Sequence, residues 1–398
     1  MLKALHLSSF TATSALGRGL DATLDALRCG RSGLAPCAFD DVDLKTHVGQ
    51  VSGVDAVELP TRLAAFDCRN NRLAQLALEQ DGFADAVRAA VARYGALRVG
   101  VFVGTSTAGI LQTEQAYRQR DPVSGALPAD FNYRTTHSTF SVADFTRQYF
   151  ELAGPVVAVS SACSSSAKVF ASARRMLAAG LIDAAVVGGV DSLCLTTLYG
   201  FNSLGLLSEQ ACRPFDAQRN GISIGEAGAF ALLERPSENL DAQAVLLLGV
   251  GESSDAYHIS SPHPQGLGAR MAMQDALAMA GLRPDEVDYI NLHGTATPSN
   301  DEAEGHAVLA LFGAATPCSS TKGMTGHTLG AAGGLEAVIC ALALQHGLMP
   351  AGVNTVQPDP SVGLDYLMVN REQALTHVLS NSFGFGGTNC SLVFGRAC

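Results

Sequence analysis

The sequence predicts an α/β protein whose sheets are covered on both faces. Three observations carry this. Apolar runs such as Val99-Gly100-Val101-Phe102-Val103-Gly104 lack the in–out alternation of a half-exposed strand. Ala- and Leu-rich helical segments separate those runs, and the second part of the chain repeats the theme of the first. Continuous apolar strands joined by helices indicate a sheet buried on both sides. With 398 residues, 47% of them hydrophobic and 16% charged, the chain can bury enough core for two domains.

The elements follow in order. The start, Met1-Leu2-Lys3-Ala4-Leu5-His6-Leu7, lacks a long apolar stretch and a cleavage site, and reads as a first strand rather than a signal peptide. Strands are expected at 97–104, 154–159 and 183–190, with a helix over 168–179 closed by Gly180. The polar stretch Pro236-Ser237-Glu238-Asn239-Leu240-Asp241 divides the chain into 1–238 and 239–398. Beyond it come strands at 246–250 and 287–292, helices at 269–280 and 301–312, the short segment 318–320 and a helix over 329–346. Segments 379–383 and 391–394 form a closing hairpin.

Composition excludes several classes. A net charge of −11 with no basic run argues against a nucleic-acid surface. No apolar run reaches the roughly 18–20 residues of a membrane span. The ten cysteines are scattered without a Cys-x-x-Cys pair, so reduced cytoplasmic thiols are expected, with no metal centre.

Chemistry concentrates at element boundaries. Cys163 ends the run Val156-Val157-Ala158-Val159-Ser160-Ser161-Ala162-Cys163, where a strand turns into a helix. Unpaired N–H groups and a positive dipole end there should lower the thiol pKa, and the Cys163 N–H could form half of an oxyanion hole. The bland reading is an inert buried cysteine. Against it stand two imidazoles and a lysine in Gly-rich settings: His293-Gly294-Thr295-Ala296-Thr297 and Lys322-Gly323-Met324-Thr325-Gly326-His327. A thiol nucleophile with these companions indicates thioester chemistry.

Ser161-Ala162-Cys163-Ser164-Ser165, the two histidine segments and Asn381-Ser382-Phe383-Gly384-Phe385-Gly386-Gly387-Thr388-Asn389 resemble, in order, the signatures of β-ketoacyl-acyl carrier protein synthases. Arg213-Pro214-Phe215-Asp216 and Gly225-Glu226-Ala227-Gly228 extend the resemblance over nearly the whole chain. These are elongating condensing enzymes of the thiolase superfamily. The resemblance implies two similar α/β halves in a five-layered α-β-α-β-α arrangement, with the active site between them.

It also implies roles. Cys163 resembles the nucleophile that takes an acyl chain from a carrier phosphopantetheine, and His293 and His327 the pair that binds the malonyl thioester carbonyl. Cys163 and Phe385 would supply the oxyanion-hole N–H groups. Lys322 would interact with Glu336, with Glu304 nearby, to orient the histidine region; an ordinary surface ion pair is the plain reading of such a combination. Thr295 and Thr297, on one side of an extended segment, would meet pantetheine amides. Phe385 would gate the acyl pocket, with Phe383 beside the nucleophile. Thr107 would line that pocket, a polar residue where the family often has Gly or an aliphatic one.

The implied partner is an acidic acyl carrier protein, which this acidic chain could dock only through a local basic patch. Arg62, Arg69 and Arg72 are the candidates; the loop Leu207-Ser208-Glu209-Gln210 lacks a second basic position common in the family. A dimer is expected, homodimeric by default or paired with a ketosynthase-like chain-length subunit, with Asp130-Phe131-Asn132-Tyr133 reaching towards the partner. No cofactor is expected beyond the carrier's phosphopantetheine. Three readings compete. Fatty-acid elongation leads, ahead of a specialised aryl-polyene or type II polyketide pathway. A degradative thiolase would need a second cysteine in Gly384-Phe385-Gly386-Gly387, which has none. A non-catalytic chain-length subunit would usually lack the cysteine that is retained here.

Overall fold

A computed structural model of the chain describes residues 4–397. The first half runs β1 (Leu5–Ser14), α1 (Gly19–Cys29), α2 (Arg69–Leu78), α3 (Phe83–Tyr94), β2 (Val99–Gly104), α4 (Ile110–Arg118), α5 (Ser141–Tyr149) and β3 (Val156–Val159). It continues with α6 (Ser165–Ala178), β4 (Ala184–Asp191), α7 (Leu195–Ser203) and β5 (Ala227–Glu234). The second half is β6 (Val245–Ser254), α8 (Leu267–Ala280), β7 (Tyr289–Asn291), α9 (Pro298–Phe312) and β8 (Cys318–Ser319). It closes with α10 (Lys322–Thr325), α11 (Ala332–His346), β9 (His377–Gly384) and β10 (Thr388–Arg396). The first strand continues well past Leu7, because β1 pairs with β5 as far as Ser14; Met1 to Lys3 lie outside the described residues.

The two halves repeat one plan. In the first, β3 and β4 flank β2 in parallel, and β5 and β1 follow antiparallel. In the second, β8 and β9 flank β7 in parallel, and β10 and β6 follow antiparallel. A seam of only two residue pairs, Leu5 with Leu247 and His6 with Leu246, joins β1 to β6. Between the sheets lies the middle helical layer of the expected five. α11 packs against β4 and β5 on one side and β9 and β10 on the other, with α6 beside it. Its residues from Ala332 to Leu344 are all buried, as the apolar Ala/Leu/Ile/Val sequence requires. The stretch Leu329–His346 has the length and hydropathy of a membrane span, contrary to the expectation that no such run exists, but 89% of it is enclosed in the core. The nine cysteines among the described residues are free thiols.

Candidate active site

The Cys163 position is built by a tight elbow. β3 ends at Val159, Ala162 adopts the left-handed region at φ 51°, and α6 begins at Ser165. The Ser165 hydroxyl accepts the Ser161 N–H at 2.9 Å and the Ser165 N–H reaches back to the Ala162 carbonyl at 3.2 Å, which fixes the turn. Gly384, at the end of β9, lies against this elbow. A Cβ there would stand 3.0 Å from the Ser161 carbonyl oxygen and 3.2 Å from the Cys163 nitrogen, so a side chain would push the strand away.

His327 precedes α11 at the place where Cys163 precedes α6, and the two side chains meet: Nε2 lies 3.0 Å from Sγ. The protonation pattern follows from the neighbours. The Leu329 N–H donates to His327 Nδ1 at 3.3 Å, and an N–H can only donate, so the ring proton sits on Nε2 and points at the sulfur. Lys322 Nζ lies 3.3 Å from His293 Nδ1, and an ammonium likewise only donates, so His293 also carries its proton on Nε2. The two rings stand 5.3 Å apart and nearly perpendicular, and His293 lies edge-on to Phe383 at 5.9 Å. Burial, the Lys322 cation and, for His293, the neighbouring ring push both imidazoles well below their ordinary pKa. Both are therefore neutral N–H donors aimed into one space.

Lys322 is buried and bridges the His293 carbonyl and the Glu336 carboxylate. Glu304 does not touch Lys322. It accepts the N–H groups of His293 and Gly294 at 2.8 and 2.7 Å and the Asn381 amide at 3.1 Å, which locks the turn after β7. Burial raises both carboxyls to about 7. Thr295 and Thr297 do face the same way, their hydroxyls 2.9 Å apart. Both line the cleft with Cys163, His293, His327, Phe383 and Phe385. Phe385 packs on Phe201 at 5.7 Å, and its N–H faces the Cys163 sulfur.

Three expectations need correction. Burial pushes the Cys163 thiol up to about 12, against Lys322 and the Phe385 N–H, which pull it down. Desolvation is the largest influence on the sulfur, which relies on the donors aimed at it. Arg69 is not on the surface: it is 2% exposed, donates to Glu226 at 3.0 and 2.6 Å, pairs with Asp55 and lies over the Phe39 ring. The fully buried Glu226 needs that cation. Thr107 does not line the cleft. It is buried, with its hydroxyl and N–H both held at 2.8 Å by Asp191. Of the other docking candidates, Arg62 is exposed and caps the end of α5 through the Gln148 and Tyr149 carbonyls, and Arg72 grips Asp67 through two nitrogens.

Sequence reasoning missed Asp301, which holds the Thr295 and Ala296 N–H groups, and the Asn381 bond to Glu304. Asp301 carried a usable signal, an acidic residue in the first turn of a helix opened by Pro298. The Cys163, His293 and His327 donor atoms lie within 4.8 Å of one another, a set that could hold a soft metal by composition. The hydrogen-bond pattern does not fit one, because both Nε2 atoms carry protons and have no lone pair to offer.

The sequence profile of the β-ketoacyl synthase N-terminal domain matches residues 9–239, and that of the C-terminal domain matches residues 244–356. The chain belongs to the β-ketoacyl synthase family. Among its relatives, the 3-oxoacyl-[acyl-carrier-protein] synthase 2 of Coxiella burnetii is 32% identical over 96% of each chain. Nodulation protein E of Rhizobium meliloti is 37% identical over 75% of this chain and 76% of that one. One chain of the solved complex between the ketosynthase ApeO and its chain length factor ApeC from Xenorhabdus doucetiae is 37% identical, is covered to 98% against 99% of this chain, and superposes with a TM-score of 0.89.

Proposed function

We propose that this condensing enzyme joins a malonyl unit on an acyl carrier protein to an acyl chain held on Cys163, in fatty-acid synthesis. The observation that carries the reading is the convergence of two neutral imidazole N–H donors beside a buried thiol. Cys163 first takes the acyl group as a thioester, and the proton leaves with the departing pantetheine thiol. Because His327 Nε2 is already protonated, it serves the sulfur as a donor and not as a base. Malonyl decarboxylation then breaks a carbon–carbon bond, releases CO2 and leaves the electron pair on the thioester oxygen as an enolate. His293 and His327 stabilise that oxygen, at about 3–4 kcal/mol per donor. The enolate carbon attacks the Cys163 thioester, whose oxygen faces the Cys163 and Phe385 N–H groups, and the thiolate departs towards the His327 N–H.

Residues 1–238 supply the nucleophile in this scheme, and residues 239–398 the histidines, Lys322 and the glycine loop. Thr295 and Thr297 hold the pantetheine arm, and Phe385 moves off Phe201 to admit the acyl chain. Substrates arrive on phosphopantetheine and no other cofactor takes part. Arg62 and Arg72 remain the docking candidates for the carrier. The enzyme works in the cytoplasm as a dimer. Supporting this, β3 ends the sheet with an open edge, every residue of it half-buried, and Tyr133 is exposed while stacking on His137 at 4.8 Å.

A second reading, an aryl-polyene or type II polyketide ketosynthase paired with a chain-length subunit, is favoured by the likeness, 37% identical over 99% of this chain, to a chain of the Xenorhabdus doucetiae complex of a ketosynthase with its chain length factor. One experiment separates them. The protein is incubated with saturated, polyunsaturated and aryl-primed acyl carriers, and the adducts are weighed by intact-mass spectrometry. Equal loading of the saturated series on Cys163 supports fatty-acid elongation, and loading confined to unsaturated or aryl chains supports the specialised pathway. Loading that persists in Cys163→Ala overturns both.

A further inference from the structure

Asp191 ends β4, fully buried and outside the cleft. Its carboxylate accepts the Ser106 and Thr107 N–H groups at 2.8 Å, the Thr105 and Thr107 hydroxyls at 2.7 and 2.8 Å, and the Gly330 N–H at 2.5 Å. A buried carboxylate is costly unless its oxygens are satisfied, and these donors come from two separate turns. One follows β2; the other follows His327.

Each turn reaches the catalytic pair by one further link. The Ser106 hydroxyl donates to the Ala162 carbonyl at 3.3 Å, and Ala162 is the left-handed residue immediately before Cys163. Gly330 follows Leu329, whose N–H fixes the proton of His327 on Nε2. The fit at Gly330 is tight. A Cβ there would stand 2.8 Å from Asp191 Oδ2 and 2.7 Å from the Ser106 oxygen, so the three groups are pressed together. Among the described residues no other carboxylate is bonded to both sides of the pair: Glu304 and Glu336 serve the His293 side.

We infer that Asp191 is a positioning residue for the Cys163–His327 pair, clamping the elbow before the thiol to the turn after the imidazole so that Nε2–H stays on Sγ. The inference rests on reading Cys163 as the nucleophile, but its test needs no carrier or acyl substrate.

The groups facing the sulfur are the Lys322 cation, the Asp191 and Glu336 carboxylates, the His327 ring and the Phe385 N–H. The Asp191 charge by itself opposes the thiolate. A mere electrostatic neighbour, replaced in Asp191→Asn, would thus make Cys163 ionise more readily and react faster. Loss of a clamp predicts the reverse, because the thiolate loses the His327 donor. Iodoacetamide labelling of Cys163, followed by mass spectrometry from neutral to alkaline pH, distinguishes the two.

The expected result for Asp191→Asn is labelling about tenfold slower at each pH, equivalent to about one unit in thiol pKa. Gly330→Ala keeps the charge but forces the carboxylate off, and should slow labelling alike. Ser106→Ala removes one hydroxyl, keeps the fold and should give a smaller slowing. In acyl transfer all three should lower kcat with little change in KM for the carrier. Thermal melting identifies the variants that fold. Labelling that is unchanged or faster in the folded variants overturns the inference and leaves the proposed reaction standing.

Discussion

The two halves share a strand order and strand senses, yet they carry different chemistry at matching positions. The crossover from β3 to α6 ends in Cys163; the corresponding crossover from β8 to α11 carries Lys322 and His327. After β2 the turn is Thr105 to Ala108, and after the matching β7 it is His293 to Ala296. Both turns are caged by buried carboxylates, Asp191 in the first half and Glu304 with Asp301 in the second. The repeat therefore supplies rigid strand ends, and reactivity is set by the few side chains placed on them. In the proposed reaction one half contributes an acceptor for the acyl chain, the other the donors for the enolate.

The sharpest way to break that division is to remove the donors singly. His293→Ala and His327→Ala should each slow CO2 release from malonyl carrier by about 10²–10³-fold. Only His327→Ala should also slow acylation of Cys163, since only His327 touches the sulfur. Equal acylation defects in both variants, measured by intact mass, would mean that the halves do not divide the reaction in this way.

A smaller effect concerns the anchors. Arg69→Met leaves Glu226 buried without its cation and should cost about 3–5 kcal/mol of stability, read by denaturant unfolding. Arg62→Ala removes only an exposed cap on the α5 carbonyls and should cost no more than about 1 kcal/mol. If Arg69→Met were as stable as the parent, the first half would not depend on this buried pair.

The mildest expected effect is a pH dependence from Glu304. As a carboxylate it holds two backbone N–H groups of the His293 turn, and its pKa is raised to about 7. Activity should fall as pH drops through about 7 and the acceptor gains a proton. Stability should run the other way. Between the unfolded value of 4.5 and about 7 the folded state binds a proton that the unfolded chain does not, so stability declines as pH rises through that window. In Glu304→Gln the acidic limb should vanish from the rate profile at the cost of about tenfold in rate. A limb that survives in this variant would belong to another group.

Much of this was readable beforehand, for a physical reason. Strands buried on both faces announce themselves as apolar runs, and Cys163, His293, Lys322 and His327 stand in short local patterns that geometry constrains. What escaped depends on partners distant in sequence. Arg69 reads as one of several surface arginines until Glu226, 157 residues on, is seen beside it. Thr107 reads as a pocket residue until Asp191, 84 residues later, claims its hydroxyl. The proton on His327 Nε2 depends on the Leu329 backbone N–H, which any residue but proline would supply. The upward push on the Cys163 thiol was missed because the helix terminus is visible in sequence and the depth of burial is not.

The placement of α11 has a consequence for how the molecule is made. The helix lies between the two sheets, and its apolar surface is shared by strands from both. A nascent chain that has completed β1 to β5 still lacks residues 332–346, so one face of its first sheet, with α6, has nothing to cover it. Such a face invites association with other chains during synthesis. Cutting the gene between the halves should therefore yield two fragments that aggregate when expressed separately, each missing a wall that only the complete polypeptide provides.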